Sequence, residues 1–253
     1  MKKLIVTLAV GDEAETMADI SVPLMQAYAQ RTGADFELLG VSALTESLSP
    51  FYEKMQIHDR LDAYDVVLFL DADILVTPWA TDVFDVVPDG HFAAVSVEEV
   101  FQGTAHQKQL LNDILGDIDW RTPYFNSGVF LARREHQSLF NTTDGLIERW
   151  IEGVRAGGHK ALNDQNVLNY RLNASAMDIF YLDNAFNFTR VWKQFDRRFD
   201  RHFIHYAGFR GDRVERMRRD ARIMQGAMAP LYRSCPLWVK VSDKVWEMGA
   251  SGG

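Results

Sequence analysis

Cysteine is almost absent: Cys235 is the only one in 253 residues. A single thiol excludes an intramolecular disulfide and suits a reducing compartment. Long apolar runs are missing as well. None approaches the ~18–20 residues that a membrane span needs. The opening Met1-Lys2-Lys3 has the charge of a signal-peptide start, but the apolar stretch 4–10 meets Gly11-Asp12-Glu13 after seven residues. With no small-residue cleavage site nearby it reads as a first strand, and the expected location is the cytoplasm. Positive charge is scarce overall. The 27 Lys and Arg against 35 Asp and Glu leave a net charge of -8, which argues against nucleic acid as a partner. Internal repeats, low-complexity tracts and a clear linker are all lacking. Asn141, Asn173 and Asn187 each open an Asn-X-Ser/Thr sequon, which carries no meaning in a cytosolic chain.

What is present centres on residues 64–78, Tyr-Asp-Val-Val-Leu-Phe-Leu-Asp-Ala-Asp-Ile-Leu-Val-Thr-Pro. The unbroken apolar run 66–70 suits a strand buried on both faces of a mostly parallel sheet. It ends in two carboxylates, Asp71 and Asp73. Residues i and i+2 of an extended chain point to one side, so both can face a point just past the strand's end. That edge is where ligands bind in open α/β sheets. Paired carboxylates repel unless a cation lies between them, and oxygen ligands favour Mg²⁺ or Mn²⁺. Asp-Ala-Asp also fits a turn. Two chemical readings compete with that one. One is the Asp-X-Asp of nucleotide-sugar glycosyltransferases. The other is a phosphohydrolase of the haloacid dehalogenase type, with Asp71 as nucleophile and Asp73 as acid–base.

The surrounding pattern is doubly wound α/β. Strands are expected at 4–9, 35–41, 66–70, 92–97, 129–132, 179–182 and 203–206. Helices are expected at 14–31, closed by Gly33, and at 51–63, 107–115, 137–155, 163–170 and 212–224, with a short helical start at 81–85. Residues 42–50 read as a loop. Asn126-Ser127-Gly128 reads as a tight entry to the strand at 129–132. The Asn163 or Asp164 side chain would cap the helix that follows it. From Arg190 to Arg222 there are 11 Lys and Arg against 5 Asp and Glu, a local charge of +6. Such a segment is either a solvated face or a docking site for a phosphorylated ligand or an anionic membrane.

Three further clusters carry polar groups that packing alone does not require. They are Asn126 within an apolar run, Asn163-Asp164-Gln165-Asn166 before Val167-Leu168, and His205 at the end of an apolar pair and followed by Gly208. A helix cap needs one of the four polar residues at 163–166, not all of them. With the acidic pair they make an ordered set: Leu68-Phe69-Leu70-Asp71-Ala72-Asp73, Phe125-Asn126-Ser127-Gly128-Val129, Asp164-Gln165-Asn166-Val167-Leu168-Asn169 and His205-Tyr206-Ala207-Gly208. Tyr52-Glu53-Lys54-Met55 lies upstream. Over about residues 1–215 this set resembles the retaining glycosyltransferases of family 8, the glycogenin and lipopolysaccharide galactosyltransferase group with the GT-A fold.

The resemblance implies a GT-A domain with a central, mostly parallel sheet flanked by helices. It would span residues 1–230, with a nucleotide-binding half (1–100), a half that completes the acceptor and metal sites (101–230), and a tail at 231–253. Asp71, Asp73 and His205 would hold Mn²⁺ or Mg²⁺ on the diphosphate of a nucleotide sugar, with UDP-hexose as the donor. Thr7, Ala9, Lys54, Ala72, Ser127, Gly208 and Arg210 would contact the donor. Asn126 and Asp164 would bind sugar hydroxyls, and Gln165 would sit near the anomeric carbon. The acceptor would be a hydroxyl of a glycan or lipid-linked molecule. The family's lysine after the histidine motif is Gly211 here, which turns attention to Arg210 or Arg213. The base-contacting residues near the N-terminus are not recognisable in Thr7-Leu8-Ala9-Val10-Gly11-Asp12. A non-catalytic nucleotide-sugar-binding protein and the phosphohydrolase stay as alternatives. Residues 235–248 pack on the core or, with the basic segment, touch a membrane. Residues 249–253 read as a disordered end.

Overall fold

The computed structural model describes residues 1–42, 49–159, 164–175, 177–208 and 212–250. Most of the expected loop at 42–50, the Asn163 cap, Arg210 and Gly211 lie outside the described residues.

The chain opens with β1 (Lys3–Leu8), α1 (Asp12–Thr32) and β2 (Asp35–Leu39). Gly33 ends α1 in the left-handed region, at φ 65°, where a residue without Cβ is unstrained. The helix expected at 51–63 is split into a 3-10 segment, Pro50–Gln56, and α2 (Ile57–Ala63). Tyr52, Glu53, Lys54 and Met55 are all buried. Four successive buried residues exceed what one face of an α-helix can hide, and the tighter winding aims each at a different partner. β3 (Val66–Asp71) follows, then β4 (Ile74–Val76). A short turn of helix, α3 (Val83–Val86), is capped by Asp82, whose Oδ1 accepts from Phe84 N at 2.9 Å. β5 (Phe92–Ser96), α4 (Thr104–Leu115) and β6 (Phe125–Arg133) come next.

β6 departs from expectation. Asn126-Ser127-Gly128 lies inside the strand and is not a turn leading into it. The register against β5 jumps from Ala94↔Phe130 to Val95↔Asn126, a bulge that bends β6 where the polar residues sit. The helix expected at 137–155 is also divided, into a 3-10 segment Arg134–Phe140 and α5 (Leu146–Ala156). His136 Nδ1 accepts from Arg133 N at 3.0 Å and fixes that first turn. The chain continues through α6 (Asp164–Ser175), β7 (Ile179–Tyr181), β8 (Phe203–His205), α7 (Arg213–Gln225), α8 (Ala229–Ser234) and α9 (Pro236–Ala250). α9 includes Gly249, which had read as part of a disordered end.

The main sheet has the order β2-β1-β3-β6-β5-β7. β1 is parallel to β2 and β3, β6 is antiparallel to β3 and β5, and β7 is parallel to β5. Only β6 runs against the common direction, so the sheet is mostly parallel. Alternate residues of β3 serve opposite cores. Val67 and Phe69 pack with Leu4, Val6 and Phe130 on one face, and Val66, Leu68 and Leu70 with Ile5, Met25 and Tyr28 on the other. Each such fully buried side chain stabilises the fold by about 1.5–3 kcal/mol. β1 has β2 on one side and β3 on the other, so chain order reverses there, and the crevice at that switch point opens beyond Asp71. A separate β4–β8 ribbon pairs Ile74 with His205. Among the described residues no helix is long and apolar enough to cross a membrane.

Some arginines of the basic segment turn inward, while Arg190, Lys193, Arg197 and Arg222 stay exposed. Arg198 is fully buried and pairs with Asp220 at 2.5 Å and with Asp243 of α9 at 2.8 Å. Arg219 also reaches Asp243, at 2.6 Å, and Arg216 reaches Glu247, at 2.9 Å. These pairs, with fully buried Val239, seat α9 against α7 and the 3-10 segment Phe195–Asp200.

Candidate functional site

Beyond β3 lies a cavity of about 750 Å³. It gathers residues from five parts of the chain: Lys54, the Asp71-Ala72-Asp73 turn, Asn126 and Ser127 of β6, Asp164 and Gln165 of α6, and His205 with Gly208. Val10, Gly11, Glu13, Met17, Phe51 and Arg213 complete its wall together with Asp12, Ala14 and Ala207. Thr7 and Ala9 do not line it. Thr7 is buried in β1, its Oγ1 without a hydrogen-bond partner among the described residues, and Ala9 borders a separate groove with Leu39 and Gly40.

The acidic pair and the imidazole meet because the β4–β8 ribbon folds His205 back beside Asp73; Tyr206 N donates to Asp73 O at 3.0 Å. His205 Nε2 lies 3.1 Å from Asp73 Oδ1 and 3.8 Å from Asp71 Oδ2. One donor atom from each of the three residues lies within 4.8 Å of the others. Two carboxylate oxygens and one imidazole nitrogen form a donor set suited to Mn²⁺ or Mg²⁺. Gly128 leaves the space for it. A Cβ there would stand 2.4 Å from His205 Cε1 and 2.7 Å from Asp71 Oδ2.

Opposite charges meet at close range in the site. Burial raises the Asp71 carboxyl above its ordinary range; Lys54 pulls it down, and Asp73 pushes it further up. Burial acts on Asp73 in the same direction, but His205 and Arg213 outweigh it and hold that carboxyl below the usual range. Burial disfavours a charged His205, yet Asp73 and then Asp71 raise its value overall. Arg213, at the start of α7, bridges Asp73 at 3.2 Å and Glu13 of α1 at 2.6 Å. Lys54 stands 3.3 Å from Asp71 and 2.9 Å from Asp164, and donates to Ser127 O at 3.1 Å. Burial opposes its charge, but Asp164 and Asp71 more than compensate.

The polar residues Gln165, Asn166 and Asn169 of α6 have separate tasks. Gln165 Oε1 accepts from Asn126 Nδ2 at 2.9 Å and Ser127 N at 3.2 Å. Asn169, one turn later, exchanges two 2.9 Å bonds with the backbone of Phe125. Asn166 accepts from Tyr124 OH. The helix thereby grips the bulged start of β6 and sets Asn126 in place. Two participants escaped sequence reasoning. Gly128 was visible only as a turn residue. Asn187 was visible only as a sequon, yet it is 1 % exposed and touches both Asn126 and His205. The one signal pointing to it was an Asn inside the aromatic run Phe186-Asn187-Phe188.

Comparison with known proteins gives a consistent result. The family described as Glycosyl transferase family 8 matches residues 42–210. No curated protein matches the chain. Among solved structures, a glycosyltransferase involved in glycosylation of the major capsid of PBCV-1 superposes with a TM-score of 0.56 at 15% identity, covering 87% of this chain and 100% of its own. The galactosyltransferase LgtC, in complex with donor and acceptor sugar analogs, gives a TM-score of 0.53 at 18% identity over 86% of this chain and 95% of its own. The bifunctional glycosyltransferase WbbM gives 0.60 at 15% identity, covering 91% of this chain and 51% of its own.

Proposed function

The chain belongs to glycosyl transferase family 8 and is a glycosyltransferase with a GT-A fold; from that premise we propose that it moves a hexose from a UDP-sugar to a hydroxyl acceptor, with retention at the anomeric carbon. One observation carries this reading. A three-residue cluster that could hold a metal and the polar groups of Asn126, Asp164 and Gln165 line a single cavity at the switch point of the sheet. The family match sets aside the phosphohydrolase and the purely binding alternatives.

Asp71, Asp73 and His205 would hold the divalent ion, Mn²⁺ by preference. When bound, it offsets negative charge on the departing diphosphate, worth several kcal/mol in such transition states. Arg213 takes the place of the missing lysine and faces the same phosphates, held ready by Glu13. Arg210 is proposed as an auxiliary donor contact. The Val10-Gly11 turn borders the base, with Thr7 and Ala9 leading into it without lining the cavity, and Ala72, Ser127 and Gly208 approach the donor through backbone. Lys54, 2.9 Å from Asp164, holds that carboxylate in place as an acceptor for sugar hydroxyls. The Gln165 amide is locked by Ser127 N and Asn126, which sets a fixed neutral dipole beside the reacting carbon. A neutral group there supports an oxocarbenium-like centre without trapping the sugar.

The acceptor is taken to be a glycan or a lipid-linked sugar, used in the cytoplasm at the inner face of a membrane. The outer face of α9 supports this. Leu237, Val241, Val245 and Met248 are 70%, 48%, 60% and 61% exposed, spaced as one helical stripe beside Lys240 and Lys244. Cosedimentation with anionic vesicles that weakens with salt is the expected outcome, and none at low salt ends that part of the reading. In domain terms, we assign residues 1–230 to the catalytic unit, halved near residue 100, and 231–253 to the attachment. The activity is tested by incubating the protein with Mn²⁺ and a panel of nucleotide sugars. Slow UDP release, abolished by chelation and by Asp73→Asn, supports the proposal; phosphate release from simple monoesters or no turnover with any donor contradicts it.

A further inference from the structure

Asn187 closes the short turn Asn184–Phe186 and is buried. Its backbone is fixed at both ends. The N–H donates to Asn184 O at 3.1 Å, and the carbonyl accepts from Trp192 Nε1 at 3.3 Å. The side chain spans two site residues. One end of the amide is 2.8 Å from Asn126 Oδ1, and the other is 2.7 Å from His205 Nδ1.

Which end faces which neighbour is decided by two backbone N–H groups, because these can only donate. Ser127 N–H donates to Gln165 Oε1 at 3.2 Å, and Gly128 N–H donates to Asn126 Oδ1 at 3.1 Å. Asn126 therefore turns its oxygen toward Gly128 and its Nδ2 toward Gln165 Oε1, 2.9 Å away. That oxygen needs a donor from Asn187, so Nδ2 of Asn187 points there and Oδ1 points at the imidazole. An amide oxygen cannot donate. His205 must then carry a proton on Nδ1, so that Nε2, 3.1 Å from Asp73, is the nitrogen that donates to the carboxylate in the charged ring and gives up that proton to bind a metal ion.

Resting on the metal-site reading above, we infer that Asn187 is a positioning residue that fixes the Nδ1–H tautomer of His205, so that Nε2 serves as the metal ligand, and ties this ligand through one amide to the sugar-side pair Asn126 and Gln165. The order of hydrogen bonds runs from the backbone of β6, through Asn126 and Asn187, to the imidazole. A distortion at either end reaches the other through Asn187.

The test measures Mn²⁺ binding to the full chain without donor, by the electron paramagnetic resonance of free Mn²⁺, for wild type, Asn187→Ala and Asn187→Asp, with Tm recorded for each. Asn187→Ala is expected to weaken Mn²⁺ binding roughly 10–100-fold, the usual cost of losing an outer partner of a metal-bound His. Asn187→Asp keeps an oxygen against Nδ1. It is expected to restore Mn²⁺ affinity close to wild type while raising the donor KM, since Asn126 loses one of its two donors. Long-range ¹H–¹⁵N spectra of Mg²⁺-loaded wild type give a readout independent of any variant's folding. The expected pattern has the His205 proton on Nδ1. Unchanged Mn²⁺ affinity in Asn187→Ala, equal losses in both variants, or a proton on Nε2 in the loaded protein each overturn the inference. A wild type that binds no Mn²⁺ overturns the metal-site reading itself, and this inference with it.

Discussion

Lys54 Nζ lies 2.9 Å from Asp164 Oδ2, with both side chains only 5% exposed. The pair joins the 3-10 segment before β3 to the first turn of α6, across the floor of the cavity. Lys54 also faces Asp71, so one ammonium serves two carboxylates. Removing it strips the cation from buried Asp164 and from part-exposed Asp71, a loss on the order of 3–5 kcal/mol for a broken buried pair. Lys54→Met is expected to lower unfolding stability by roughly that amount and to raise the donor KM. Urea denaturation and donor saturation curves measure the two effects. Lys54→Arg is not a rescue, because the planar fork does not fit a space shaped for a point charge.

Gly128 offers a sharper test of the site's geometry. Gly128→Ala places a Cβ against His205 Cε1 and Asp71 Oδ2, at separations no real Cβ tolerates. The bulge must shift or the ligands must part. We expect a stability loss of about 1–3 kcal/mol from overpacking and a Mn²⁺ affinity loss of tenfold or more. Calorimetry and metal titration read them separately.

The His136 ring gives a pH dependence with a definite sign. It is 2% exposed, and its Nδ1 accepts from Arg133 N at 3.0 Å, which requires the neutral ring. Burial is the main influence and lowers its value below the ordinary one. The unfolded chain therefore binds the extra proton more readily. The contribution of His136 is present above pH ~6.5 and is lost as pH falls from there through the lower folded value. The slope for one proton is at most about 1.4 kcal/mol per pH unit. Tm measured at pH 7.5 and 5.5 should fall more for wild type than for His136→Gln. His205 is shifted the opposite way, so the difference between the two proteins, at matched metal, is the quantity to compare.

Asp243 tests whether α9 is part of the folded unit. It receives both Arg198 and Arg219. Asp243→Asn is expected to destabilise the whole protein by about 1–3 kcal/mol, leaving Arg198 with Asp220 alone. A single transition, shifted to lower urea, is the predicted pattern. A normal main transition preceded by loss of α9 alone would contradict it.

Some of this structure was legible in local pattern. The run at 66–70 gave a strand buried on both faces, and its two carboxylates fall on one side as the pleat requires. Gly33 marked the end of α1, and His205 at a strand end arrived where expected. What local pattern could not show is set by partners far along the chain. Asn126-Ser127-Gly128 looks like a turn until β5 pairs with it. The basic segment looks solvent-facing until Asp243 of α9 reaches Arg198. Residues 51–63 and 137–155 have helical periodicity, but buried Glu53 and Lys54 and the Arg133–His136 cap impose tighter turns. Asn187 shows locally only as a polar residue between two phenylalanines, because its role is fixed by Gly128 N–H and by His205 together.

The central claim is that Asp71, Asp73 and His205 hold one divalent ion against the donor's diphosphate. The most direct measurement is anomalous diffraction from a crystal soaked in Mn²⁺ and UDP. The account expects one Mn²⁺ peak within bonding distance of all three side chains and of the diphosphate. A peak elsewhere, or none at these residues at saturating Mn²⁺ and UDP, would contradict it.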